Sequence, residues 1–368
     1  MELLAFRFTY HRLDELMKNI SVGGTHTLAA IKIFVWYRNR KVILTMMKTL
    51  QEKATAYEAI DDFEPTKLVN EEKSVKDFTT RMFLFLGASV SVTAYVAAMW
   101  ALLTDYERYE KITIMPDNST SYRYTQKLPY YMQMPFVYYS SKSRFAISLI
   151  YNCFPSFHFA WIIIGIDTIF TSLVSYTSAH LQILQGAFRT IRPRCLCKLG
   201  MSTIPVLHDS EELSKTMMQE MTNCVTHLQL IFRTCEQIEN IFTYLTLIQV
   251  LSSQILICAC LYMVSAIPIT SKAFATELIY LIAIEMQIGL YCFFGNRVTL
   301  TGENIPLALY EGDWLSSNKS FKKSMLITMT RMRRPIYLTM GKFSPLTLAT
   351  FVTIGRASYS FFAVIKNK

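Results

Sequence analysis

Five stretches of this chain are each long and apolar enough to cross a lipid bilayer as a helix: residues 82–104, 146–176, 242–267, 273–294 and 347–365. A hydrocarbon core about 30 Å thick takes about 20 such residues, and it admits only segments whose backbone N–H and C=O groups are satisfied internally. The expected class is therefore all-α, a polytopic membrane helical bundle. A sixth stretch, 13–37, holds Asp14, Glu15, Lys18 and Lys32. It spans only if the bundle shields those charges. The chain is 17% charged, against about 25% for a soluble domain.

Basic residues orient the spans. The connections 38–81, 180–240 and 296–343 carry more than half of the Lys and Arg residues, which predicts that they are cytoplasmic. Segment 105–145 and the C-terminus then face outside. The sequon Asn118-Ser119-Thr120 falls in that outer segment, with Tyr122, Tyr124, Tyr130 and Tyr131 suited to an interface. In the segment 180–240, Ser210 reads as an N-cap with Glu211 and Glu212 in the first turn. Met217, Met221, Val225, Leu228 and Ile231 follow at helical spacing, giving a helix that runs on into the span at Phe242.

The net charge of +10 comes with no zinc-finger spacing and no base-reading helix, which excludes nucleic acid. Of eight cysteines, four lie in apolar stretches. Cys195 and Cys197 form a C-x-C that lacks two further metal ligands, so reduced thiols and no metal are expected. No G-x-S-x-G, H-E-x-x-H, P-loop or G-x-G-x-x-G is present. No enzyme and no cofactor is expected.

The C-terminal segment carries an ordered series of short motifs. It reads Tyr291-Cys292-Phe293-Phe294-Gly295-Asn296, Ala308-Leu309-Tyr310, Asp313-Trp314, Arg334-Pro335 and Met340-Gly341-Lys342. It continues Ser344-Pro345-Leu346-Thr347, Thr350-Phe351 and Ala357-Ser358-Tyr359-Ser360-Phe361-Phe362. The series resembles the C-terminal signature of insect odorant receptors, and Leu128-Pro129-Tyr130, Pro135 and Asp167 extend the likeness upstream. The resemblance implies seven helices with the C-terminus outside. It also implies a cation channel formed with a shared co-receptor (Orco), in the plasma membrane of olfactory neurons. Six spans are visible, so the family's first helix is expected to be missing, as in a truncated copy. Residues 1–295 would form the ligand-binding bundle. Residues 296–368 would form a cytoplasmic intersubunit anchor and a pore-lining last helix.

Site residues follow from the same resemblance. Ser360, Phe361 and Val364 would line the pore, with Val364 at an apolar gate that closes by dewetting. Arg356 either faces a wet vestibule or pairs with a neighbour. A volatile odorant offers few hydrogen bonds, so its site is expected to be an apolar, aromatic-lined cavity. Tyr95, Met99, Phe154, His158, Trp161 and Tyr280 are the candidates. Asp167 is expected to pair within the bundle. The rival readings are a gustatory receptor, disfavoured by Thr350-Phe351 and a last helix without Gln, and a G-protein-coupled receptor. The second is disfavoured by the missing Asp-Arg-Tyr motif and cytoplasmic tail.

Overall fold

A computed structural model describes residues 13–53, 57–60, 62–104, 109–114, 119–124, 136, 141–201 and 210–366. The long helices are α1 (Leu13–Lys53), α2 (Pro65–Thr104), α3 (Lys142–Arg189), α5 (Glu211–Ala266), α6 (Lys272–Glu303) and α9 (Leu348–Lys366). Shorter helices α4 (Ile191–Lys198), α7 (Ile305–Glu311) and α8 (Lys319–Met332) connect them. All six expected spans are helical, and α2, α3, α5, α6 and α9 are long and apolar enough to cross a membrane. Asn118 and most of the outer connection lie outside the described residues. Within that connection β1 (Tyr109–Ile114) pairs antiparallel with β2 (Ser119–Tyr124), Tyr109 opposite Tyr124.

The helices begin where a side chain can take an orphan backbone N–H. Ser141, Ser210, Ser271 and Asn318 accept from Arg144, Leu213, Phe274 and Phe321 at 3.3, 3.2, 3.1 and 2.8 Å. Such caps are each worth about 1 kcal/mol. Ser210 caps α5 as its sequence context predicts.

Helix α5 has 56 residues, about 84 Å at 1.5 Å per residue, far more than the about 30 Å of hydrocarbon. The molecule therefore has two halves. The apolar half holds the lipid-length runs of the long helices and the turn at Ile267. The polar half holds their extensions with α4, α7, α8 and two short strands. Its core centres on Leu50, Phe63, Leu184, Phe188, Met217 and Met221.

The last helix is tied to the bundle just before it begins. Strands β3 (Thr339–Met340) and β4 (Ser344–Pro345) pair antiparallel. The turn between them uses Gly341 and Lys342 at φ 62° and 65°, and Gly341 N–H donates to Thr243 O of α5 at 3.0 Å. Gly295 of α6 lets the backbone past: a Cβ there would sit 2.6 Å from Leu346 O.

Candidate ligand cavity and its polar floor

Asp167 sets the phase of α3. Its side chain is 2% exposed and forms an ion pair with Lys32 of α1, itself 0% exposed. Gln287 Nε2 and Tyr291 OH of α6 donate to the same carboxylate at 2.5 and 2.7 Å. Gln249 Nε2 of α5 donates to Gln287 Oε1 at 3.0 Å and to Ser253 Oγ at 2.8 Å. Four helices thus close around one buried carboxylate. A charge in hydrocarbon is tolerated only when partners replace its water, and this network supplies that shielding for Lys32, one of the four charges in 13–37. The side chains of Asp14, Glu15 and Lys18 lie outside what the structure describes.

Directly against this network lies a cavity of about 150 Å³. Counting back along α3 from Asp167 by helical steps gives its wall: Ile164, Ile163, Ala160, Phe159 and Ser156. Helix α6 adds Tyr280, Ala283, Ile284 and Gln287, and α1 adds Ser21, Thr25 and His26. Phe83 and Gly87 of α2 and Leu256 of α5 complete the apolar side. The His26 and Phe159 rings meet at 4.5 Å between centroids. Gln287 is shared, lining the cavity on one side and holding Asp167 on the other.

The polar edge is occupied by bonds within the protein. Thr25 Oγ1 donates to Ser21 O at 2.7 Å, and the Thr25 and Tyr280 hydroxyls lie 2.6 Å apart. Tyr280 OH also reaches Ser21 O at 3.1 Å. Ser91, Thr276 and Glu277 add further polar groups to a lining that is otherwise mostly apolar.

Of the six sequence-nominated pocket residues, Tyr280 lines the cavity. Tyr95 stands behind the wall, donating to Asn152 O and Ser156 Oγ at 2.8 and 2.9 Å. Met99, Phe154, His158 and Trp161 point outward instead, and Phe154 and Trp161 are 78% and 61% exposed. The reason is angular. Positions 154, 158 and 161 fall on the side of α3 opposite Asp167, at 100° per residue. Large aromatics there point out of the bundle. Ser21, His26, Phe83 and Phe159 carried no motif, but the phase set by Asp167 marks Phe159 from sequence alone.

Comparison with known proteins settles the lineage. The family model described as 7tm Odorant receptor matches residues 12–359. The chain belongs to that family. It is 22% identical to Odorant receptor 10 of Aedes albopictus over 339 residues, 92% of this chain and 80% of that one. Odorant receptor 2a of Drosophila melanogaster is 25% identical over 196 residues, 52% of this chain and 49% of that one. The solved olfactory receptor OR5 from Machilis hrabei, in complex with eugenol, superposes with a TM-score of 0.73 at 16% identity. That match covers 96% of this chain and 82% of OR5, and it shows a shared fold. The chain is thus an odorant receptor and a multi-pass membrane protein, of a family of receptors rather than enzymes.

In this receptor Ser360, Phe361 and Val364 are all exposed on α9, while Ile354 and Ser358 face the bundle. The polar half carries two further clusters of titratable groups. Glu220 of α5 is bound by Arg194 at 2.6 Å and Lys198 at 2.8 Å. Burial opposes its charge, but the Lys198 bond and the Arg194 charge outweigh that and hold the carboxyl below its usual range. His180 Nε2–H donates to Leu50 O at 2.7 Å, which leaves Nδ1 to accept from His227 Nε2 at 3.0 Å. His227 Nδ1 in turn accepts from Tyr57 OH at 3.0 Å. Burial pushes His180 below its ordinary value, the Leu50 bond notwithstanding. Cys195 is buried beside this cluster and Cys197 is exposed, so the C-x-C pair does not face one site. Burial first, and then Glu220, pushes the Cys195 thiol up to about 12, an unreactive state.

Proposed function

We propose that this receptor is a tuning subunit that binds a small volatile molecule in the cavity above Asp167. It gates a non-selective cation channel assembled with a shared co-receptor (Orco) in the plasma membrane of olfactory neurons. The observation that carries the reading is the largely apolar, partly open cavity lined by five helices. An apolar cavity of about 150 Å³ is known to hold a benzene-sized ligand. In the proposed orientation the polar half is cytoplasmic, and Asn118, glycosylated, and the C-terminus are outside. Helix α9 lines the pore through Ser360, Phe361 and Val364.

The gating step follows from α6. Its outer turns form the cavity wall through Tyr280, Ala283, Ile284 and Gln287. Further along, Gly289 faces the Phe351 ring of α9 and Gly295 faces Leu346. A ligand that fits the cavity better when α6 is displaced stabilises that displacement. The seat of α9 moves with it, and the ring at Val364 widens.

The test is whole-cell current from this chain with the co-receptor, against the co-receptor alone, using eugenol and a mixed volatile panel. An odorant-evoked cation current is expected. Ala283→Phe fills the cavity and is expected to cut sensitivity at least about tenfold, the cost of about 1.4 kcal/mol. No current despite surface expression, or a full current with the cavity filled, rejects the proposal. The first of those results supports a non-functional copy.

A further inference from the structure

Outward positions of the apolar half are, on most helices, large and apolar. Helix α2 presents Phe85, Val96, Trp100 and Leu103, and α3 presents Phe154 and Trp161. Helix α9 likewise exposes Leu348, Val352, Tyr359, Phe361 and Val364, but beside them, opposite its buried Ile354 and Ser358, it carries Ala349, Thr353, Arg356 and Ser360, all exposed. Their spacing of four, three and four residues makes one stripe along a helix. Small and polar side chains on that stripe suit water rather than lipid.

Arg356 sits in the middle of it. The Thr353 and Ser360 hydroxyls donate back to Ala349 O and Arg356 O, both at 3.0 Å, and neither carries a charge that could balance the guanidinium. Among the described residues no carboxylate lies within ion-pair distance of Arg356. A guanidinium cannot shed its proton to escape a poor environment, and a charge at membrane depth requires water or a partner.

We propose that Arg356 is a fixed positive charge on the water-filled conduction path, one that discriminates against divalent cations. The inference rests on the reading that α9 lines that path. A positive local potential lowers the concentration of a monovalent cation by a Boltzmann factor and of a divalent cation by its square. Calcium entry is therefore suppressed more than sodium entry, and the effect weakens as salt screens the charge.

The experiment measures reversal potentials of odorant-evoked current, with the co-receptor, under calcium and sodium gradients. Arg356→Gln is expected to raise the calcium-to-sodium permeability ratio about two- to fivefold, with Arg356→Glu raising it further and Arg356→Lys leaving it near wild type. An unchanged ratio in Arg356→Gln overturns the proposal while leaving the channel reading intact. A second measurement needs no current. In membranes of cells expressing both subunits, Thr353→Cys, Arg356→Cys and Ser360→Cys are expected to react with a charged, water-soluble methanethiosulfonate above the background of the unaltered chain. Phe154→Cys is not. Failure of all three α9 positions to react shows that the stripe faces lipid or protein, and overturns the proposal whether or not the channel conducts.

Discussion

The two halves of the receptor bury charge in opposite ways. In the apolar half, Asp167 and Lys32 are sealed from solvent, and the remaining oxygen valences are filled by neutral donors from α6. In the polar half, Glu220 is just as tightly held, but one of its partners, Lys198, is 40% exposed. The first arrangement has no fallback: remove one partner and nothing, not even water, replaces it. The second can recruit solvent. Burial of an ion pair is thus a strong constraint in one half and a mild one in the other.

Removing half of the sealed pair is the sharpest way to test that contrast. Asp167→Leu leaves Lys32 buried and unpaired and is expected to cost about 3–5 kcal/mol. It should read as lost surface expression and a large drop in the melting temperature of detergent-solubilised receptor. Adding Lys32→Met to it is expected to restore much of the loss. If the double variant is no better than the single one, the pair is not what holds α1 to α3.

A smaller effect is expected at the other end. Arg194→Gln deprives Glu220 of a charged hydrogen bond, worth about 1.5–3 kcal/mol, with Lys198 and water taking up part of the loss. A drop as large as that of Asp167→Leu would erase the distinction between the halves.

The smallest effect concerns pH. The folded His180 binds its proton less readily than the unfolded one. Its contribution to stability is therefore present above the ordinary value of 6.5 and lost as pH falls below it, through the lowered folded value. Protonation would also put an N–H on Nδ1, facing the donor of His227. Stability is expected to fall between pH 7.5 and pH 5.5, by up to about 1.4 kcal/mol for one such group, and the melting temperature with it. His180→Gln should flatten that slope. Glu220, lowered in its turn, gives a separate loss below its usual carboxylate range. A slope that survives His180→Gln would point to another group.

Much of this architecture was legible in the sequence. The apolar runs located the spans because lipid-facing length is set by the bilayer. Ser210 announced α5 because its cap chemistry is local. The cap and helical spacing after Ser210 showed α5 running on into its span, but hydropathy could not show that α3 continues past 176 to Arg189 and packs its polar extension on α5. Nor did it reveal the pairing of Tyr109–Ile114 with Ser119–Tyr124, two six-residue strands made mostly of polar residues. The cavity was read least well. Aromatic residues suggest pocket-formers in the sequence, yet Phe154 and Trp161 point out of the bundle, and small residues such as Gly87, Ala160 and Ala283 line the space. Residue type says little about which way a transmembrane position points; one buried charge, Asp167, says a great deal.

The shared position of Gln287 has a consequence for how such receptors can diverge. Its amide belongs both to the cavity and to the lattice of bonds beneath it. Above that boundary, the apolar wall residues meet the cavity by packing alone, so on the proposed reading they can be exchanged one at a time to suit a new volatile. Below it, every member is held by at least one other, so a change to any of them must be answered elsewhere. If the cavity is the ligand site proposed above, selectivity can vary on one side of a single glutamine while the frame beneath it stays the same.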